Sequence, residues 1–420
     1  MTVTVTEAHR TIDAVWRIES AKLIAALTRM VRDVGLAEEL AQDALVAALE
    51  QWPSAGVPSN PGAWLMAIAK RRAIDHFRHV KMAERKHAEI GLDLETTQQA
   101  IEVEPDEVPD DLLRLIFTAC HPVLKTEARV ALTLRLLGGL TTDEIARAFL
   151  VPEPTVAQRI VRAKRTLAQK KVPFEVPVGA ELAERLGSVL EVVYLVFNEG
   201  YSATAGDDWM RPHLCADAIR LGRILAGLAP HEPEVFGLLA LMELQASRAR
   251  ARVTAEGEPI LLLDQNRAKW DRLLINHGLA ALNRAESLSP SRGPYTLQAA
   301  IAACHARAGA ADDTDWPRIA ALYGELVEVT PSPVVELNRA VAVSMAAGPA
   351  AALPLVDALA AAPAMSRYHL LPTVRGDLLT KLGRDAEARA EFERAASLTR
   401  NARERDVLLA RAKQASEQGS

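Results

Sequence analysis

The stretch TTDEIARAFLVPEPTVAQRIVRAKRTL, residues 141–167, holds two helix starts and one helix stop. Thr141 followed three residues later by Glu144 makes a capping box, in which each side chain takes one of the helix's free N–H groups. Ile145, Ala146 and Phe149 mark the apolar face of a short helix, and Val151-Pro152 stops it. A second helix starts near Glu153, with Pro154 tolerated in its first turn. Val156, Ile160, Ala163 and Leu167 form one apolar stripe on it, while Thr155, Gln158, Arg162 and Arg165 share the opposite face and Arg159 its flank. Lys164, Lys170 and Lys171 add charge, and no acid occurs between Pro154 and Phe174. A short helix, a tight turn and a basic amphipathic helix make a helix-turn-helix, whose second helix reads the major groove. An ordinary helical hairpin would share the stripe but leaves the one-sided basic face unexplained.

Outward from this element, the charge pattern repeats. Lys70, Arg71, Arg72, Arg78, Lys81, Arg85 and Lys86 form another basic block. Between the blocks, residues 89–111 carry only acids: Glu89, Asp93, Glu95, Glu102, Glu104, Asp106, Glu107, Asp110 and Asp111. The net charge of −5 argues against nucleic acid, but the distribution argues for it. The 420 residues are too many for one core, so two or three domains are expected. Alanine, leucine, arginine and glutamate dominate, and strand-like runs are almost absent, so the fold class is all-α. Cys120, Cys215 and Cys304 lack disulfide or metal spacing, and neither Cys120-His121 nor Cys304-His305 suffices for zinc. No apolar run reaches membrane-spanning length and no signal peptide opens the chain, so a cytoplasmic protein without metal, cofactor or membrane contact is expected.

The first segment, residues 10–86, reads as helices broken at 33–35 and 53–61. Leu40, Ala44, Ala48 and Trp52 make a buried stripe, and Glu39, Asp43 and Glu50 an acidic ridge on another face. The loop of Pro, Ser, Asn and Gly at 53–61 brings Asn60 to the start of the next helix. On that helix Trp64, Arg71, Asp75 and Arg78 share a face opposite Met66, Ala69, Ala73 and Phe77. Asp75 is spaced to pair with Arg71 or Arg78. Tryptophan beside arginines offers stacking for an unpaired base and charge for phosphates.

The remainder, residues 173–420, carries a weak repeat. The run 337–353 resembles 374–389, with Gly348 and Gly383 near the tetratricopeptide period of about 34 residues, and Gly309 marks a less regular copy. The signal is poor before Leu288. Residues 197–201 (Phe-Asn-Glu-Gly-Tyr), Asp264, Arg267, Trp270 and Asp271 are polar or aromatic groups in helical surroundings that would line a pocket. No nucleophile motif, metal spacing or phosphate loop accompanies them, so capping and inter-helix hydrogen bonds are the expected use and no catalysis is assigned.

These residues resemble a known family. Ala37-Glu38-Glu39-Leu40-Ala41-Gln42-Asp43-Ala44 and Ala63-Trp64-Leu65-Met66-Ala67-Ile68-Ala69-Lys70-Arg71-Arg72-Ala73-Ile74-Asp75 resemble the second conserved region of extracytoplasmic-function sigma factors. Residues 111–171 resemble the fourth, and Tyr194-Leu195-Val196-Phe197-Asn198-Glu199-Gly200-Tyr201 resembles the subgroup with a fused tetratricopeptide-like extension. The resemblance implies domains at 1–86 and 111–172, an acidic linker at 87–110, and a regulatory extension at 173–420. It implies that Glu39, Leu40, Asp43 and Glu50 grip core RNA polymerase. Asn60, Trp64, Lys70, Arg71, Arg72, Asp75 and Arg78 would hold the melted minus-ten element. Thr155, Gln158, Arg159, Arg162, Lys164 and Arg165 would read the minus-thirty-five duplex. The extension would respond to a protein or small-molecule ligand. The rival reading is a one-component helix-turn-helix regulator that never recruits core polymerase; it leaves the acidic ridge and the Trp64 face without a role.

Overall fold

A computed structural model describes residues 5–87, 108–149, 151–201, 210–254, 260–362, 365–366, 368–399 and 402–418. Among them lie eighteen α-helices and short 3-10 turns, with no β-strand. Most of the acidic linker expected at 87–110 falls outside the described residues. The chain divides into two compact units, Met1–Leu195 and Val196–Ser420.

The first unit begins with α1 (Val5–Val31), α2 (Val34–Ala55) and α3 (Pro61–His87), each packed on the other two. Asp33 caps α2, its carboxylate accepting from the Leu36 amide at 2.9 Å. The helix does not break at Pro53. It runs on to Ala55 and ends at Gly56, whose φ of 86° turns the chain out. Pro53 has no N–H to give the Leu49 carbonyl, so the helix forgoes that bond and stops two residues later. Leu40, Ala44, Ala48 and Trp52 are all buried, as their spacing predicts.

Next come α4 (Val108–Ala119), α5 (Thr126–Leu136), α6 (Thr142–Phe149) and α7 (Glu153–Gln169). The helix α7 packs on α5 and α6, burying Val156, Ile160, Ala163 and Leu167 and no other residue of its own. After α7, Lys171 adopts a left-handed φ of 49°, and the Val172 amide donates back to the Leu167 carbonyl at 3.0 Å, closing the helix end. The first unit continues into α8 (Ala180–Tyr201). Its first half is tied to the α4–α5 corner: Arg185 donates to the Phe117 carbonyl at 3.0 Å, and Ser188 to the Cys120 carbonyl at 2.5 Å. Arg129 meets Glu191 at 3.1 Å. The unit therefore extends past residue 172, where the sequence pattern changes.

In the second unit follow α9 (Pro212–Leu228), α10 (Pro233–Ala246), α11 (Arg272–Leu288) and α12 (Pro294–Arg307). The helix α10 is the centre, covered by α9, α11 and α12, with nine of its residues buried on all sides. Beyond it, α13 (Trp316–Val329), α14 (Pro333–Ala347), α15 (Pro349–Ala360), α16 (Leu370–Lys381), α17 (Asp385–Leu398) and α18 (Ala402–Gln418) each pack on the next. Short turns joining successive packed helices make a series of hairpins, the tetratricopeptide-like arrangement. Gly348 and Gly383 sit at two of these turns with φ of 90° and 71°, which explains why the repeat is written in glycines. Leu337, Val356, Leu371, Leu379, Phe392 and Leu408 join these hairpins in one core. Gly309, the third member of the sequence repeat, shows no such left-handed turn.

Candidate nucleic-acid interface

The helix-turn-helix is built as its sequence dictates. The Thr141 amide donates to Glu144 at 2.8 Å, and the Glu144 amide to the Thr141 hydroxyl at 3.1 Å. On α7, Gln158, Arg162 and Arg165 are exposed, while Thr155 and Arg159 are half-buried. Val161 is 63% exposed on the same side, one residue from Arg162 and three from Gln158. Sequence reading passed over it because a valine in a helix is first assigned to the core.

On the other half of the unit, Glu39, Asp43 and Glu50 stand exposed along α2, as the ridge requires. Leu40, placed with them in the sequence reading, is only 5% exposed; its position in the core stripe takes its side chain away from the ridge. Asn60 caps α3, its amide oxygen accepting from Ala63 N–H at 3.0 Å. Trp64 is half-buried and packs edge-on against buried Trp52, ring centroids 5.3 Å apart. Arg71, Arg72, Asp75 and Arg78 are exposed, and Lys70 half-exposed. Asp75 pairs with Arg78 at 3.5 Å, and Arg72 reaches across to Asp43 at 3.3 Å. Both are solvent-exposed pairs of little energetic weight. Phe77, on the face opposite Trp64, is exposed. The side chains of Lys81, Arg85 and Lys86 lie outside the described residues.

The structure brings the two halves together through a residue that the sequence reading did not single out for any role. Glu38, 3% exposed, lies between α2, α5 and α7. Its Oε1 accepts from Arg135 Nε at 2.6 Å and from Gln42 at 2.5 Å, and its other oxygen forms an ion pair with Lys164. Lys164 therefore does not point out with the Gln158–Arg165 face, because a buried carboxylate holds its amine. A second tie joins α1 to α4: fully buried Asp111 takes Arg29 at 3.1 Å and Arg114 at 2.8 Å. Glu144, besides capping α6, reaches Arg17 of α1 at 3.0 Å. Gly139, with φ of 71°, lies against Arg17 and Ser20 of α1. Beside Lys164 is a cleft of about 680 Å³ lined by Arg29, Arg32, Asp33, Lys171 and Phe174 among others. Arg32 and Lys171 follow the C-terminal ends of α1 and α7, where cations offset the helix dipole. Burial pushes the Cys120 thiol up to about 11 and that of Cys215 up to about 12, so both are un-ionised packing groups at neutral pH.

The residues of both halves match established families. Residues 18–81 match Sigma-70 region 2, residues 114–167 match Sigma-70, region 4, and residues 185–286 match a family of unknown function (DUF6596). An uncharacterized protein of Rhizobium meliloti (strain 1021) is 45% identical over 91% of this chain and 90% of its own length. The probable ECF RNA polymerase sigma factor SigI of Mycobacterium tuberculosis is 27% identical over 40% of this chain, which spans 58% of that factor. The ECF RNA polymerase sigma factor SigK of Mycobacterium sp. (strain KMS) is 28% identical over 36% of this chain and 80% of its own. Among solved structures, yeast Tom70 aligns over 99% of this chain and 85% of its own with a TM-score of 0.38 at 11% identity.

Sigma regions two and four in this order define a DNA-binding transcription initiation protein of the sigma-70 class. Within that class, the chain belongs to the extracytoplasmic-function sigma factors, in the form that carries a C-terminal helical extension. Its family acts in transcription and is not enzymatic.

Proposed function

We propose that this sigma factor binds core RNA polymerase through the acidic ridge of α2, directs initiation at a two-element promoter, and is regulated by its extension. The observation that carries this is the outward face of α7. Gln158, Arg162 and Arg165 stand free on one side of a helix whose other side is wholly committed to the core. Such a helix fits the major groove, where arginine reads guanine and glutamine reads adenine. Val161 among them offers an apolar contact for a thymine methyl group. On α2, Glu39, Asp43 and Glu50 are available to a basic partner surface. On α3, Trp64 keeps a partly open ring on the helical face that carries Arg71 and Arg78 further along, a platform for an unpaired base followed by charge for the phosphates.

The test is whether the purified full-length chain binds core bacterial RNA polymerase and lets it start at a specific promoter. Promoter-specific initiation is the expected result. A folded chain that binds duplex DNA but never core polymerase would instead support a one-component regulator. Asp43→Arg should weaken polymerase binding and leave duplex affinity unchanged, since α2 and α7 serve different partners.

A further inference from the structure

Three arginines of the second unit, Arg248, Arg252 and Arg267, stand around two aromatic rings, and among the described residues none of them forms an ion pair. Arg252, 9% exposed, lies over the Tyr201 ring, 3.6 Å from its centroid, and donates to the Tyr201 carbonyl. Arg248 donates to the Tyr201 hydroxyl at 2.5 Å and lies 5.7 Å from the Trp270 ring centre. Arg267, 7% exposed, is 4.9 Å from the same ring centre and donates to the carbonyls of His305 and Ala308 and the hydroxyl of Thr314, at 2.6–3.0 Å. Every acceptor is neutral. Among the described residues no carboxylate lies within ion-pair distance of these three; nearby Glu199 pairs with Arg211.

Arg252 and Arg267 are buried without an ion-paired carboxylate, which is costly; Asp313 favours the charge of Arg267 from a distance but does not pair with it. Two further observations point the same way. Trp270 is 4% exposed and its indole N–H has no hydrogen-bond acceptor; the Nε of Arg267 is likewise unpartnered. Unused buried donors beside arginines that form no ion pair among the described residues suit an acceptor that carries negative charge. His305 feels the same field: burial, then Arg248 and Arg267, lower its pKa to about 4.

We propose that Arg248, Arg252, Arg267 and Trp270 form a binding site for a small oxyanion, a carboxylate or a phosphate. Arg248 is half-buried and forms the entrance. Charge-assisted donors and the indole N–H would hold the oxygens. The rings of Tyr201 and Trp270 are already covered by guanidinium groups, so the site selects for charge rather than for a flat ligand. Tyr201, Arg248, Arg252, Arg267 and Trp270 all lie within the segment that matches the family of unknown function. The inference deepens the regulatory reading of the extension and rests on it for consequence only. Binding is measured without polymerase, so failure of the site and failure of regulation are told apart.

The experiment is calorimetric titration and thermal unfolding of the full chain with inorganic phosphate, succinate, and sodium chloride at matched ionic strength. One oxyanion should bind at one site and raise the unfolding temperature, and chloride should not. Preference for phosphate or for succinate identifies the source of the charge. Arg248→Gln should weaken binding roughly tenfold or more, and Arg248→Lys less. Trp270→Phe keeps the ring and removes the orphan donor, so it should fold normally and bind more weakly. No oxyanion effect beyond that of chloride would overturn the proposal. So would binding unchanged in both Arg248→Lys and Trp270→Phe, which would put the bound anion elsewhere.

Discussion

At the scale of single residues, the exposed side of α7 is where base contacts would be made. Helical periodicity set Gln158, Arg162 and Arg165 outward and Val156, Ile160, Ala163 and Leu167 inward, and the structure agrees. Arg162→Ala or Arg165→Ala should therefore weaken duplex binding by about 1–3 kcal/mol and relax base preference locally, read by competition binding on varied sites. Periodicity did not reveal what Glu38 does, because its partners Arg135 and Lys164 are about a hundred residues away in sequence. Glu38→Ala leaves two cations facing a void and should cost the first unit roughly 3 kcal/mol by denaturant unfolding. A loss below 0.5 kcal/mol would make the buried pair ornamental. His305 supplies a pH test in the other unit. Its folded pKa of about 4 lies below the unfolded value, so its contribution is full above about pH 6.5 and is lost as pH falls toward 4. His305→Gln should flatten that acid limb in thermal unfolding.

Whole elements were legible where a helix has one wet side and invisible where it has none. The capping box and the proline at the start of α7 marked both helices of the helix-turn-helix from local chemistry alone. Thr141→Ala removes one of the two reciprocal cap bonds and should cost about 1 kcal/mol, or a few degrees of melting temperature in the first unit. Glu144→Ala should cost more, since Glu144 also reaches Arg17. In the extension, α17 buries Ala388, Phe392, Ala395 and Ala396 on a single stripe, and its repeat could be read. The helix α10 buries Val235, Leu238, Leu239, Ala240, Leu241, Met242 and Leu244 around its whole circumference. Such a helix has no period to detect, which is why the repeat faded before Leu288. The cluster around Tyr201 and Trp270 was half legible: Tyr201, Arg267 and Trp270 stood out in the sequence, but Arg248 and Arg252 did not.

For the molecule as a whole, the decisive question is where the promoter-binding unit ends. The change in sequence character near residue 173 marks a boundary of pattern, while the first compact unit runs to Leu195. The difference lies in α8. Its Arg185 and Ser188 answer the carbonyls of Phe117 and Cys120, and its Glu191 answers Arg129, which is itself buried. A chain cut after Val178 loses all of these partners and, with them, the buried Leu186, Val189, Leu190, Val192 and Val193 of α8. A chain cut after Leu195 keeps them. The shorter form should unfold at markedly lower denaturant, by the several kcal/mol expected for orphaned buried polar groups together with lost apolar packing. The longer form should retain a cooperative transition. That makes the cut after Leu195 the right one for asking what the extension does. In promoter-directed transcription with core polymerase, its output should differ from that of the full chain by several-fold in one direction. Equal output from the two, with both folded, would mean that the extension has no regulatory hold on initiation. An oxyanion effect on transcription that disappears with the cut would instead tie the arginine cluster to that hold.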